Sequence, residues 1–179
     1  PNPSSGWKSR NLGLLMVQLA KLAGAARVAL LEPVEEKRRV GRRMGADDCI
    51  DPLTEDVKAE LEDAGMNWIQ TVIECVGRPS TIEQAIEIAG KQAVVMMFGL
   101  IKPDETVAVK PFTVFQKELV LKASYINPYT QKRALDLIDS GRIDVSSMVY
   151  EVCGLEKLGK ILADPKLRSL GKYIIAPEL

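Results

Sequence analysis

Apolar and polar positions along this chain switch between two spacings, one typical of helices and one typical of buried strands. Leu12–Ala23 is apolar on nearly all sides, which predicts a buried helix that ends at Gly24. Arg27–Leu31 is a continuous apolar run, which predicts a strand covered on both faces. Val34–Met44 is charged and amphipathic, and it predicts a surface helix before a short strand at Asp48–Asp51. The first third of the chain is therefore predicted to alternate helices with strands.

The middle of the chain continues the same alternation. Thr54 is placed to cap the next helix at its N-terminus. Ile69–Cys75 predicts a strand that ends at Val76–Gly77, and the apolar run Ala93–Phe98 predicts another buried strand. Between them, Ser80 and Glu83 have the spacing of a capping box, which predicts the start of a helix there. This pattern is a βαβ unit, the repeating element of a parallel sheet.

In the last part of the chain, the patterns that predict helices and strands are less regular. The predicted elements are an edge strand at Thr106–Val109, a helical turn at Pro111–Gln116, a strand at Leu119–Ser124, a helix capped by Asn127 with Pro128 first and ending at Gly141, a strand at Ser147–Val152, a helix at Leu155–Ala163 and a strand at Lys172–Ile175. Strands that alternate with helices predict an α/β fold with a parallel sheet and helices on both faces. We expect one domain over residues 11–179, preceded by an atypical segment at residues 1–10.

Composition supports a globular domain and excludes several partners. Lys and Arg total 24, equal to the 24 Asp and Glu, and hydrophobic residues make up 46% of the 179 residues. This charge balance provides no electrostatic surface for nucleic acid or an anionic membrane. The apolar runs are too short to cross a bilayer, and the first residues have no apolar signal-peptide core. We therefore expect a cytoplasmic protein that binds neither nucleic acid nor membrane.

The chain lacks the usual residues of metal and Ser-His-Asp sites. It contains no histidine, and its three cysteines, Cys49, Cys75 and Cys153, are far apart in sequence. Zinc sites need three or four ligands, usually histidines and cysteines at close spacing. We therefore predict no metal ligand and no catalytic residue in this chain, and cysteines that remain free thiols.

The best candidates for ligand binding are the residues that follow the predicted strands, because parallel sheets bind ligands at their carboxyl ends. Glu32 ends the first of these strands, where an acid can accept hydrogen bonds from the ribose of an adenine nucleotide and repel a 2′-phosphate. A solvated strand-end carboxylate is the alternative interpretation. Gly77 and Gly99 also follow strands, where they permit close approach of a ligand or form ordinary turns.

The phosphate-binding loop of a dinucleotide site is incomplete. In the fingerprint G-x-G-x-x-G, Gly13 matches the last glycine, but Lys8 and Arg10 occupy the first two positions. The strand that should precede this loop is also not recognisable, since the first residues contain two prolines. The sequence alone therefore leaves cofactor binding open.

Three segments resemble a known family. They are the sequence from Leu12 to Pro52, the sequence TVIECVGRPSTIEQAIEIAGKQAVVMMFGL and the sequence KELVLKASYINPYTQKRALDLIDSGRID. Together they resemble the cofactor domain of zinc-type medium-chain dehydrogenases, most closely the sorbitol, threonine and butanediol dehydrogenase branch. The resemblance extends from about Leu12 to the C-terminus.

The resemblance implies a Rossmann-type, doubly wound sheet that holds NAD(H), with zinc in a separate GroES-like domain. The cofactor-binding positions that it implies are Leu12, Gly13, Glu32, Lys37, Cys75, Val76, Gly77, Gly99, Leu100, Ile101, Ser124 and Tyr125. It also implies a homodimer or larger oligomer formed through the sheet edge at Thr106–Val109 and Leu119–Ser124. Residues 147–179 would form the segment that returns towards the catalytic domain.

This sequence departs from the family pattern at its N-terminal side. The GroES-like domain and the first Rossmann strand are not recognisable, and loss of that central strand would leave two unpaired edges facing each other. We expect the NAD-binding part of an alcohol or polyol dehydrogenase, inactive as this chain alone. The alternative is a non-catalytic nucleotide-binding or dimerisation module derived from the family. An unrelated methyltransferase is a weaker alternative.

Overall fold

The computed structural model describes residues 11–126 and 128–179, which form two compact units, one ending at Gln131 and the other beginning at Lys132. The elements of the first unit are α1 (Leu12–Leu22), β1 (Ala29–Leu31), α2 (Glu35–Arg43), β2 (Asp48–Ile50), α3 (Val57–Asp63), β3 (Thr71–Glu74), α4 (Pro79–Ile88), β4 (Val94–Met97), α5 (Pro111–Lys117) and β5 (Val120–Ala123). The prediction of an α/β fold is confirmed. Residues 1–10, which include Lys8 and Arg10, lie outside the described residues.

The strands of the first unit form two separate parallel sheets. One pairs β1 with β2, and the other has the order β3-β4-β5. Among residues 11–126, no strand pairs with the remaining edge of β1 or of β3. This arrangement matches a doubly wound sheet whose central strand is not among the described residues.

Each sheet of the first unit packs on an apolar cluster, and α4 contributes to both clusters. The two-stranded sheet packs Ile50 against Val57 and Leu61 of α3. The three-stranded sheet packs the fully buried Val95 against Ile82 and Ile86 of α4. Crossover helices therefore bury the sheet faces, as the continuous apolar runs predicted.

Two predicted helix starts are wrong because other side chains provide the caps. Asp56, not Thr54, caps α3, and its carboxylate accepts from the backbone N–H groups of Lys58 and Ala59 at 3.0 and 3.2 Å. In α4, the Thr81 hydroxyl accepts from Arg78 N–H at 3.3 Å, so the capping box does not involve Ser80 and Glu83. Pro79 at the first position of α4 explains the shift, because its fixed φ suits a helix start.

Two further predictions differ from the structure near the end of the first unit. Residues 106–109 form no strand, and Ala108 N–H donates instead to the Glu83 carboxylate at 2.9 Å. The next helix begins at Gln131 rather than at Pro128, because Tyr129 has a positive φ of 60° that a helix does not tolerate. Asn127, its predicted cap, lies outside the described residues.

The second unit contains α6 (Gln131–Asp139), β6 (Val149–Cys153), α7 (Leu158–Ala163), α8 (Pro165–Leu170) and β7 (Lys172–Ile175), with short 3₁₀ turns at Ser146–Met148 and Leu155–Lys157. β6 and β7 pair in parallel. The sequence did not predict α8, whose N-terminus is capped by Asp164 through Lys166 N–H at 2.7 Å. None of the described helices is long and apolar enough to span a membrane.

Candidate functional site at the carboxyl ends of the strands

The turns that follow β3 and β4 are in direct contact. Gly77 has a φ of +77°, which only glycine adopts without strain, and a Cβ there would overlap the backbone of Leu100. A Cβ on Gly99 would overlap the backbone N of Gly77 and lie 2.7 Å from Glu74 Oε2. Both glycines are therefore required for this packing, which brings the predicted positions 77, 99 and 100 together.

A buried carboxylate that the sequence analysis did not include holds this pair of turns. Glu74 ends β3, and its Oε1 accepts from the backbone N–H groups of Val76 and Gly77 at 2.7 and 2.9 Å. The Thr81 hydroxyl donates to the same oxygen at 2.8 Å. An acid near the end of the predicted buried strand Ile69–Cys75 was the signal that could have identified this residue.

The backbone of Glu74 binds the second turn as well. Its carbonyl oxygen accepts from the N–H groups of Phe98 and Gly99 at 2.9 and 2.8 Å. Its other carboxylate oxygen, Oε2, is buried and has no hydrogen-bond partner among the described residues. Glu74 is therefore the common anchor of both turns at this edge of the sheet.

A cavity of about 230 Å³ lies beside these turns, at the ends of β4 and β5. It is lined by Phe98, Gly99, Leu100, Ser124, Tyr125 and Ile126. The structure therefore brings together four of the predicted positions, 99, 100, 124 and 125. Ile101 is placed differently, since it packs against the apolar cluster of the three-stranded sheet.

Cys75 and Val76 follow β3 directly. Burial, and after it the charge of Glu74, raises the pKa of the Cys75 thiol to about 12, so the group is a neutral thiol at physiological pH. Val76 remains 37% exposed, which leaves apolar surface for a ligand. Neither side chain has the properties of a catalytic acid or base.

Glu32 occupies the end of β1 and is almost fully buried, with 4% of its surface exposed. Its Oε1 accepts from Val34 N–H at 3.0 Å, and its carbonyl oxygen accepts from Arg38 Nη1 at 2.8 Å. Arg38 also pairs with Asp51 at 3.1 Å. The alternative interpretation of Glu32 as a solvated carboxylate is therefore wrong, because this side chain is buried and oriented by its neighbours.

Leu12, Gly13 and Lys37 lie on the helices next to β1. Leu12 and Gly13 form the first turn of α1, and a Cβ on Gly13 would lie 3.4 Å from Leu30. Lys37 is half-buried on α2, in the helix that follows Glu32. The N-terminus of α1 therefore lies against β1, where a helix dipole attracts anions.

Most of the chain is similar to known proteins. The sequence profile described as zinc-binding dehydrogenase matches residues 12–140. D-arabinitol dehydrogenase 1 of Uromyces fabae is 27% identical over 93% of this chain, and L-threonine 3-dehydrogenase of Thermococcus kodakarensis is 25% identical over 93%. Each match covers 49% of the relative, so the chain spans about half the length of these curated relatives.

A solved structure gives the same result. A putative zinc-binding dehydrogenase of Sinorhizobium meliloti 1021, bound to NADP, has a TM-score of 0.87 and 32% sequence identity, and the match covers 94% of this chain and 50% of that one. The fold, the order of its elements and the sequence similarity over residues 12–140 agree with one another. The chain belongs to the zinc-binding dehydrogenase family.

Proposed function

We propose that this chain is the NAD(H)-binding part of a zinc-type alcohol or polyol dehydrogenase. The observation that carries the proposal is the cavity beside Gly99, Leu100, Ser124 and Tyr125, at the carboxyl edge of the sheet. Family membership supports it, and so does the relative from Sinorhizobium meliloti that is bound to NADP. In the complete enzyme, hydride would pass between a secondary alcohol and the cofactor held here.

Each region of the site has a distinct part in holding the dinucleotide. The first turn of α1, with Leu12 and Gly13, would provide the backbone N–H groups that bind the pyrophosphate. Glu32 binds the adenosine ribose, and Lys37 lies near it. The turns at residues 75–77 and 99–100 would hold the nicotinamide half, with Ser124 and Tyr125 near the carboxamide. The bound nicotinamide supplies hydride acceptance and donation.

Zinc has no comparable set of ligands here. The described residues contain no group of three or more Asp, Glu or Cys side chains that could hold a metal ion, and the whole chain has no histidine. The proposed role of this chain therefore ends at holding and orienting the cofactor. We expect no alcohol-dependent reduction of NAD by the purified chain, and turnover without a second polypeptide would overturn that expectation.

The preference between NAD and NADP depends on Glu32. Its buried carboxylate would repel a 2′-phosphate, which favours NAD. The relative from Sinorhizobium meliloti is bound to NADP, so the cofactor preference of this chain has to be measured directly. Replacement of Glu32 by a small neutral residue should narrow the difference between the two cofactors.

The experiment is a fluorescence titration of the purified chain with NADH and, in parallel, NADPH. We expect saturable binding that favours NADH, a narrower ratio of Kd values in Glu32→Ser, and loss of binding in Gly99→Ala. Glu36→Ser is the matched control, because it removes the same charge from an exposed position on α2. No binding of either nucleotide by the folded chain would overturn the proposal.

A second candidate is a dimerisation module, and the exposed edge at β5 favours it. All four residues of β5 are exposed, and Phe112 and Phe115 on α5 are 69% and 79% exposed. An exposed strand with apolar neighbours is a template for pairing with a second copy. Sedimentation equilibrium should show a dimer that Val120→Lys dissociates, whereas a monomer at all concentrations would refute this candidate.

A further inference from the structure

The carboxylate of Glu74 lies one contact away from the cavity at the ends of β4 and β5. Gly99 and Leu100 line that cavity, whereas Glu74 does not. Gly77 stands between them, because a Cβ on Gly77 would lie 2.7 Å from the backbone N of Leu100. The backbones of Gly77 and Leu100 are therefore in van der Waals contact. A displacement of Gly77 would move a wall of the cavity.

The position of Gly77 is set by the side chain of Glu74. Glu74 Oε1 accepts from the N–H groups of Val76 and Gly77 at 2.7 and 2.9 Å, so the turn after β3 folds around this carboxylate. A charged acceptor forms hydrogen bonds about twice as strong as those of a neutral one. The charge of Glu74 therefore fixes the turn more firmly than a neutral side chain of the same size could.

The turn after β4 depends on the same residue. The carbonyl oxygen of Glu74 accepts from the N–H groups of Phe98 and Gly99 at 2.9 and 2.8 Å. A Cβ on Gly99 would lie 2.7 Å from Glu74 Oε2, so the Gly99 backbone packs directly on the carboxylate. One side chain therefore touches the first turn by hydrogen bonds and the second by packing.

Burial of this carboxylate carries a cost in stability. Glu74 is 5% exposed, and its Oε2 has no hydrogen-bond partner among the described residues. A buried charge costs free energy unless hydrogen bonds or an opposite charge compensate for it. An incompletely compensated acid beside a cavity is typical of a functional position rather than of packing alone.

The adenosine end of the candidate site does not use Glu74. Glu32 ends β1, in the other sheet, and its hydrogen bonds are with Val34 and Arg38. None of these three residues bonds to Glu74 or to the turns that Glu74 holds. The two ends of the site can therefore be perturbed separately.

We propose that Glu74 is a positioning residue for the nicotinamide half of the cofactor. It acts through Gly77 and Leu100, which it holds in place at the cavity wall, rather than by contact with the cofactor. This inference rests on the proposed function, the binding of NAD(H) at the carboxyl ends of the strands. Loss of the Glu74 charge then weakens the hold on the nicotinamide and leaves the hold on the adenosine intact.

The test compares NADH with ADP-ribose, which lacks the nicotinamide ring, by calorimetric titration of the purified chain. Glu74→Gln keeps the size of the side chain and removes its charge. If the amide oxygen stays on Val76 and Gly77, the amide NH₂ takes the buried position of Oε2, where it has no acceptor. We expect the Kd for NADH to rise about tenfold and that for ADP-ribose to change less than about twofold.

The fluorescence of bound NADH provides a second measurement, made at saturation. Its emission maximum depends on the surroundings of the nicotinamide ring. In Glu74→Gln the loosened turns should admit water, so the emission of the complex should move towards that of free NADH. A change in the stability of the fold alone does not move the emission of a saturated complex.

Two control variants separate the ends of the site. Glu83→Gln makes the same chemical change at an exposed position on α4 and should leave both Kd values unchanged. Glu32→Ser should weaken NADH and ADP-ribose alike, because both contain the adenosine ribose. If Glu74→Gln fails to fold, Thr81→Val replaces it, since it removes the hydroxyl that donates to Glu74 Oε1 at 2.8 Å and keeps the carboxylate. We expect about a threefold rise for NADH alone.

Two results would overturn the inference and leave the proposed function in place. One is an equal weakening of NADH and ADP-ribose in the folded variant, which would give Glu74 a purely structural role. The other is an unchanged Kd for NADH together with unchanged emission. Failure of the unmodified chain to bind either nucleotide would overturn the proposed function and this inference with it.

Discussion

Replacement of Glu74 tests whether one buried carboxylate holds the two turns of the candidate site. In Glu74→Ala, the N–H groups of Val76 and Gly77 lose their acceptor, whereas the Thr81 hydroxyl can still donate to a backbone carbonyl oxygen at 2.9 Å. Each buried donor left without a partner costs about 1–3 kcal/mol. Removal of a buried charge offsets part of this cost, so we expect a loss of about 3–5 kcal/mol in the free energy of unfolding.

Urea denaturation followed by tryptophan fluorescence measures this loss. With a slope of about 2 kcal/mol/M, the midpoint of Glu74→Ala should fall by about 2 M. Glu74→Gln keeps an acceptor oxygen but loses the charge, and neutral hydrogen bonds are about half as strong, so its shift should be about half as large.

Glu83→Ala is the matched control for Glu74→Ala. Glu83 accepts a hydrogen bond from a backbone N–H, that of Ala108, at an exposed position, and its loss should cost less than about 1 kcal/mol. Equal midpoints for the two alanine variants would refute the reasoning, because burial of the donors would then have no effect.

Three further predictions concern other regions of the chain. Because burial raises the pKa of Cys75 to about 12, its alkylation by iodoacetamide at pH 8 should be about a hundredfold slower in the folded protein than in urea; equal rates would refute this. The Lys21 ammonium, followed by Val28 N–H, lowers the pKa of Asp47, so its stabilisation is present above the unfolded value and lost as pH falls through the folded value. Asp47→Asn should therefore reduce the fall in the free energy of unfolding between pH 7 and pH 3, as measured by urea titrations. An unchanged fall would contradict the prediction. Gly159→Ala, in α7 with open space around it, should raise the melting temperature, whereas Gly141→Ala at a φ of +68° should lower it; shifts of the same sign would refute the conformational argument.

The fold class could be predicted because strands covered on both faces must be continuously apolar, and Ala93–Phe98 shows this clearly. Helix starts were less predictable, since Thr54 and Asp56 are both good caps and only the path of the chain decides between them. The edge strand at residues 106–109 did not form because Ala108 N–H bonds to a helix side chain from distant sequence.

The candidate site was predictable where it depends on chain geometry. Gly77 and Gly99 follow strands whose carboxyl ends lie at one edge, so their proximity follows from the fold. Glu74 could not be assigned in the same way, because its role depends on a turn that returns its own backbone N–H groups to the carboxylate. Ile101 lies next to Leu100 in sequence but faces the core, since neighbouring residues direct their side chains differently.

The packing of α4 on both apolar clusters has a consequence for the cooperativity of folding. Ile82 and Ile86 of this helix belong to the cluster of the three-stranded sheet, whereas its Ile88 packs against the cluster that Val57 and Leu61 form on the other sheet. Opening of either cluster therefore removes apolar contacts from a helix that both sheets share. Amide hydrogens of β2 and β4 should exchange through one common opening event with the same dependence on denaturant.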